Sequence, residues 1–177
     1  MKIFVWLLLC LIWGTTWIFI KIGLQDLPPI TFAAARFLLA VFILVPIIAI
    51  WKLPLPRTSR EWKLIALTGF LQFSTNYSLV FWSEQYISSG LAAVLQATIT
   101  VFGLLLAWIF LSSEKITRLK IFAVVLGIIG VSVIFLDQLK IENRWAFAGC
   151  VAIVVGAYAA AQASILIKAK GSSLHPA

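Results

Sequence analysis

Charged residues are scarce in this sequence of 177 residues, where they make up 11% of the chain against about 25% in soluble domains. There is one histidine, His175, and there are two cysteines, Cys10 and Cys150, both inside apolar segments. Two isolated thiols cannot form a disulfide framework, and no spacing of histidine, cysteine or carboxylate residues is typical of a metal site. Paired carboxylates, a nucleophile elbow and a glycine-rich phosphate loop are also lacking. The sequence therefore predicts no enzyme, no metal site and no cofactor.

Apolar residues, in contrast, make up 63% of the chain. A water-soluble fold of this length could not bury so much apolar surface, because much of any folded chain faces water. Crossing the hydrocarbon core of a bilayer takes roughly 20 apolar residues in a helix, and helices satisfy their own backbone hydrogen bonds there. We therefore predict an all-α polytopic transmembrane helix bundle, an integral membrane protein with the lipid bilayer as its partner. Six spans are expected at about residues 3–24, 30–50, 63–84, 88–112, 119–136 and 146–167.

The formal net charge of +8 does not indicate a partner nucleic acid, because the basic residues lie in short clusters between the apolar runs and form no RNA-binding motif. Lysine and arginine instead predict the orientation, since they are enriched in cytoplasmic loops. Eight of them lie before span one, between spans two and three, or between spans four and five, and three lie on the opposite side. The N-terminus is therefore predicted to be cytoplasmic. The membrane that the chain spans is predicted to be the plasma (inner) membrane.

A short internal repeat aligns residues 13–30, WGTTWIFIKIGLQDLPPI, with residues 160–177, AAQASILIKAKGSSLHPA. Both copies have a lysine followed eight residues later by a proline. Five predicted spans separate the copies, so the second copy enters the membrane from the opposite side, as in transporters built from inverted repeats. We therefore expect residues 1–140 to form a five-helix repeat and residues 141–177 to hold the first helix of a truncated second repeat. A complete protein of six spans is the alternative.

Two long stretches resemble EamA-type members of the drug/metabolite transporter superfamily: IWGTTWIFIKIGLQDLPPITFAAARFLLA at 12–40 and YSLVFWSEQYISSGLAAVLQATITVFGLLLAWIFLSSEKITRLKIFAVVLGIIGVSVIF at 77–135. The matching features are the tryptophan–glycine start, Lys21, Pro29, Arg36, the SGLAAVL segment, Glu114 and Gly127/Gly130. The resemblance implies ten helices in two inverted repeats around a central cavity, and export or exchange of small organic solutes. Members usually have a proline in span four where this chain has Thr100, a difference that bears on a helix kink.

Neutral polar and tryptophan side chains recur near the middle of three spans and are the candidates for a solute-binding cavity. They are Trp13, Thr15 and Trp17 in span one, Gln72, Asn76 and Tyr77 in span three, and Gln96 and Thr100 in span four. Amides are costly in hydrocarbon unless they are hydrogen-bonded, so each amide either joins two helices or faces a wet cavity. The threonines can instead bond to carbonyls of their own helix. Neutral groups at one level suit an uncharged or zwitterionic solute.

Three charged residues near the predicted outer ends of the spans are candidates for gating or ion pairing: Lys21, Arg36 and Glu84. Charges inside a membrane are costly and are usually paired. Arg36 and Glu84 can form a structural ion pair, or they can take part in gating or coupling. Lys21 can also extend its ammonium group to the interface.

Small residues at helical spacing predict close helix packing in two places. One is Gly103 and Ala107 in span four, and the other is Ala123, Gly127 and Gly130 in span five.

These features favour a secondary transporter of a small organic metabolite, with the solute bound between two repeats. Its partners would be the solute and either the missing second repeat or a second copy. One alternative is a small self-assembling membrane protein whose two copies pack antiparallel, although the eight-to-three bias of lysine and arginine argues against dual topology. Another alternative is a membrane fragment that transports nothing.

Overall fold

The computed structural model describes residues 2–111, 116–134, 136, 141 and 143–171. The described chain forms six helical spans, which confirms the predicted all-α bundle. Spans one to six are Lys2–Gly23, Pro29–Ile50, Ser59–Ser83, Ser89–Phe110, Arg118–Ile134 and Arg144–Lys170. Five of them, all but span five, are long and apolar enough to cross a membrane. Glu114, His175 and the second copy's proline, Pro176, lie outside the described residues.

Side-chain caps fix where three of the spans begin. Span three is preceded by a capping box, in which the hydroxyl of Thr58 accepts from the Glu61 N–H at 3.2 Å and the Glu61 carboxylate accepts from the Thr58 N–H at 3.0 Å. Ser88 caps span four, and the Asn143 side chain accepts from two N–H groups of span six at 2.9 Å each. These bonds satisfy donors that the first helical turn leaves unpaired. The box at Thr58 also explains why span three begins four residues earlier than predicted, at Ser59.

Span six lies at the centre of the bundle, where it packs against spans three and four. Its buried face consists almost entirely of small residues: Ala146, Gly149, Cys150, Ile153, Gly156, Ala157, Ala159, Ala160, Ala161 and Ala163. Small side chains let helix backbones approach closely in a membrane. Span two packs against the outer part of span three, whereas spans one and five lie against span four. The order of the helices along the chain therefore differs from their order in space.

The outward surfaces of the spans are apolar. Phe42 is 83% exposed, and Ile3 and Leu119 are each 76% exposed. Such a surface would drive association in water, whereas hydrocarbon is a suitable solvent for it. The exposed side chains thus agree with a bundle surrounded by lipid.

The glycines that were predicted to mediate close packing do not do so within the described part of the chain. A Cβ atom added at Gly103, Gly127 or Gly130 would meet nothing within 4 Å. Close approach occurs instead in span six, where a Cβ at Gly149 would lie 3.3 Å from the Ser83 carbonyl oxygen. The prediction was wrong at those three positions because glycine spacing does not reveal which helix face meets a neighbour.

Candidate functional site

Span three loses its regular α-helical form in the middle. Residues Phe70–Asn76 form a π-helix between the α-helical segments Ser59–Gly69 and Tyr77–Ser83. π-Helical turns are rare, and they occur frequently at functional sites. The segment ends at Asn76, whose side chain is 3% exposed. A Cβ at Gly156 of span six would lie only 2.9 Å from Asn76 Oδ1, so the glycine makes room for the amide.

Span four is interrupted at Ala97, between the segments Ser89–Gln96 and Thr98–Phe110. The N–H of Ala97 is shared between the carbonyls four and three residues earlier, at 3.1 and 3.2 Å, and the N–H of Thr100 bonds to the Ala97 carbonyl at 3.1 Å. Hydrogen bonds between residues three apart in sequence are typical of a 3₁₀ turn. Thr100, and not a proline, therefore stands in the first turn after the interruption of span four.

A hydrogen bond between two amide side chains joins these two irregular points. Gln96 Nε2 donates to Asn76 Oδ1 at 3.1 Å, and we call these residues the central amide pair. The remaining acceptor, Gln96 Oε1, is buried and has no hydrogen-bond partner within the described chain. A buried acceptor without a donor costs about 1–3 kcal/mol. A solute that brings an N–H or O–H group to this atom would remove that cost.

An open groove of about 300 Å³ lies between spans one and two. Its lining residues are Leu11, Ile12, Thr15, Thr16, Phe19, Ile20, Phe32 and Arg36. Thr15 Oγ1 donates to the Leu11 carbonyl at 2.8 Å, and Thr16 Oγ1 donates to the Ile12 carbonyl at 2.7 Å. Both hydroxyl groups therefore bond within their own helix, while their oxygen lone pairs stay available as acceptors.

Lys21 and Arg36 both lie near Glu84, where span three ends. Lys21 Nζ donates to the main-chain oxygen of Glu84, and it donates to that of Ile87 at 2.8 Å. The ammonium group thus donates hydrogen bonds to carbonyls at the C-terminal end of a helix. The helix dipole also favours a positive charge at this end. The Arg36 guanidinium lies 5.4 Å from the centre of the Phe81 ring, a cation–π contact.

The structure brings together only some of the side chains that were predicted to share a site. Asn76 meets Gln96, whereas Thr15 lines the groove together with Arg36, which was predicted for gating or ion pairing and not for the cavity. Trp13 is 61% exposed, so it points away from the bundle. Trp17 is half-buried and packs against the core, and the centres of the Tyr77 and Phe37 rings lie 5.1 Å apart. Gln72 is half-buried and Thr100 is exposed.

Several features of the candidate site were not foreseen from the sequence. The π-helix has no clear sequence signal, and neither the position of Phe81 under Arg36 nor the bond from Lys21 to the Ile87 carbonyl could be read from spacing. The run VVGAYAAAQA in span six is rich in small residues, and it could have indicated that a neighbouring helix packs close to Gly156. Within the described residues there is no group of three or more histidine, cysteine or carboxylate side chains that could hold a metal ion.

Comparison with known proteins gives a family for this bundle. Residues 1–136 match the EamA-like transporter family. The chain belongs to this family, which confirms the resemblance to the drug/metabolite transporter superfamily. It is also an integral membrane protein, as its helices and apolar surface require.

Relatives occur in several bacteria. The chain is 30% identical over 158 residues to the uncharacterized inner membrane transporter YedA of Escherichia coli K12, covering 89% of this chain and 50% of that protein. It is 28% identical over 150 residues to protein PagO of Salmonella typhimurium, with coverages of 84% and 48%. It is 26% identical over 158 residues to the uncharacterized transporter YoaV of Bacillus subtilis, with coverages of 89% and 54%. The chain thus spans about half the length of these curated relatives. No solved structure matches it.

Proposed function

We propose that this chain supplies part of the solute pathway of a secondary transporter, which exports or exchanges a small neutral or zwitterionic metabolite across the plasma (inner) membrane. The observation that carries this proposal is the central amide pair. Two neighbouring helices lose their regular form where Asn76 and Gln96 bond to each other. Transporters place substrates at interrupted helices near the middle of the membrane, because polar groups are available there.

The chemistry of the pair suggests the class of solute. Gln96 Oε1 can accept a hydrogen bond from an ammonium or hydroxyl group, and the amides have no net charge that would select a bare ion. A small site of this kind orients its ligand with a few polar contacts among apolar surfaces. An amino acid or a similar zwitterion would therefore fit better than an inorganic ion.

The proposal includes the arrangement of the chain as repeats. Residues 1–140 would be one five-helix repeat and residues 141–177 would begin the second, with the N-terminus in the cytoplasm. The family match, which ends at residue 136, supports this boundary. Span six would then be a helix of the second repeat inserted between spans three and four of the first. A further repeat, or a second copy of the chain, would complete the cavity.

The test is a paired measurement of stability and flux on the purified chain in proteoliposomes. Uptake of labelled zwitterionic amino acids, carboxylates and amines is compared for the wild type, Asn76→Leu and Gln96→Leu. A matched control is Gln162→Leu, since Gln162 is an amide of span six that bonds to Tyr158 outside the central amide pair. Thermal unfolding of each variant reports its folding.

We expect both substitutions in the pair to lower the flux of zwitterionic amino acids at least about tenfold while the control retains it. The loss of one hydrogen bond worth about 1.5 kcal/mol corresponds to a tenfold change in binding. Lower stability with unchanged flux per folded molecule would show that the pair only holds helices together. A wild-type chain that moves none of the three solute classes would refute transport by this chain.

A further inference from the structure

The side chain of Glu84 is the most buried charged group in the described chain. Its exposed fraction is 0%, and neither carboxyl oxygen has a hydrogen-bond partner among the described residues. An isolated carboxylate removed from water is far more costly than a neutral polar group. The protonated acid, which carries no net charge, is therefore the form that this position favours when no partner compensates the charge.

The groups around Glu84 oppose that preference. Lys21 of span one and Arg36 of span two are the cations whose charges act on the carboxyl group. Both are held nearby by other contacts, since Lys21 donates to main-chain oxygens and Arg36 lies over Phe81. Span four has no charged residue in Ser89–Gln96, and the outer part of span six has only the exposed Arg144 and the buried thiol Cys150.

Burial and neighbouring charge thus act in opposite directions on one carboxyl group at the junction of spans one, two and three. The protonation state of such a carboxyl group changes when either its burial or the distance to a neighbouring charge changes slightly. The arrangement differs from a structural ion pair, in which the carboxylate oxygens accept hydrogen bonds from their cation. Here the lysine is bonded to the main chain of Glu84, and the carboxyl oxygens are left without donors.

We propose that Glu84 is a proton-binding site. With the proton bound, the neutral acid stays buried and Lys21 holds the carbonyls of Glu84 and Ile87. When the proton leaves to water, the carboxylate attracts the two cations, and the end of span three is drawn towards spans one and two. The site deepens the proposed function and rests on it for one point, that the bound proton is the ion exchanged against the solute.

The test uses the wild-type chain in liposomes and a hydrophobic carbodiimide, which reacts with protonated carboxyl groups in apolar surroundings. Mass spectrometry then locates the modified residue at a series of pH values from mildly acidic to alkaline. Glu84→Gln removes the site, and Asp26→Asn is the matched control, because Asp26 is an exposed carboxylate in the neighbouring loop. We expect labelling at Glu84 that falls as the pH rises, that is lost in Glu84→Gln and that persists in Asp26→Asn.

Absence of label at Glu84 at every pH, or labelling that does not change across the titration, would overturn the proposal. Thermal unfolding gives a second readout, since glutamine resembles the protonated acid: Glu84→Gln should match the wild type at acidic pH and exceed it at alkaline pH. Equal stability of the two proteins at alkaline pH would also contradict proton binding. Neither readout depends on flux, so titratable label in a chain that moves no solute would refute transport by this chain alone and leave the proton site standing.

Discussion

One methyl group added at Gly156 should destabilise the bundle, because span six touches span three at this point. The Cβ atom of an alanine would lie 2.9 Å from Asn76 Oδ1 and 3.3 Å from the Asn76 main-chain oxygen, and Cβ atoms in real structures essentially never come within 3.0 Å of such an atom. Asn76 cannot simply turn aside, since Oδ1 accepts the bond from Gln96 at 3.1 Å. Either the two helices separate by several tenths of an ångström, or the bond between the amides breaks.

The size of the effect follows from three contributions. Overpacking of a tight interior costs about 1–3 kcal/mol, and an interhelical hydrogen bond in a membrane contributes about 0.6 kcal/mol. Alanine is favoured over glycine in a helix by up to about 1 kcal/mol, which offsets part of the loss. Gly156→Ala should therefore lower the free energy of unfolding by about 1–2 kcal/mol.

The assay is denaturant unfolding of the purified chain in mixed micelles, followed by circular dichroism. Gly103→Ala is the matched control, because a Cβ there meets nothing within 4 Å, and it should be neutral or stabilising. Asn76→Ala removes the atom that clashes, so adding Gly156→Ala to it should cost much less than in the wild type. Equal effects of the two glycine substitutions, or full additivity with Asn76→Ala, would refute the close approach of spans three and six.

Three further predictions test other parts of the chain. An impermeant thiol reagent added from outside should reach Asp26→Cys but not Arg57→Cys, and equal labelling of both would remove the predicted orientation. Asn143→Ala should lower the free energy of unfolding by about 1 kcal/mol, because two N–H groups of span six lose their acceptor; Asn143→Asp should retain the cap, and equal losses in both variants would argue against it. Arg36→Met should cost about 0.5–2 kcal/mol in thermal unfolding, and a loss of the same size in a Phe81→Leu background would rule out the cation–π contact.

Hydropathy was sufficient to locate the helices, and residues that cap a helix or cannot continue one mark several of their starts. The proline pair at 28–29 and the caps at Ser88 and Asn143 place three helix starts within two residues of the prediction. Packing could not be predicted in the same way. The faces towards lipid are as apolar as the faces towards other helices, so no hydrophobic stripe identifies the face that meets another helix.

The candidate site shows the same division between composition and geometry. Asn76 and Gln96 were recognisable because an amide in an apolar run is conspicuous, but their contact depends on a π-helix and on an interruption at Ala97. Both irregularities shift the register of a helix by a fraction of a turn, and the sequence carries no simple signal for such a shift. Trp13 was a candidate for the same reason of composition, and its side chain lies on the outside at 61% exposure.

The helix that fills the centre of the bundle leaves the ribosome after the other five. Spans three and four must therefore wait in the membrane with their facing surfaces open, and the polar side chain of Asn76 has no covering helix until Gly156 arrives. During this interval we expect the facing surfaces of spans three and four to be accessible to membrane proteases. We expect spans three and four to pack together only when span six inserts, so that nascent chains stopped before residue 144 are degraded much faster than chains that include span six.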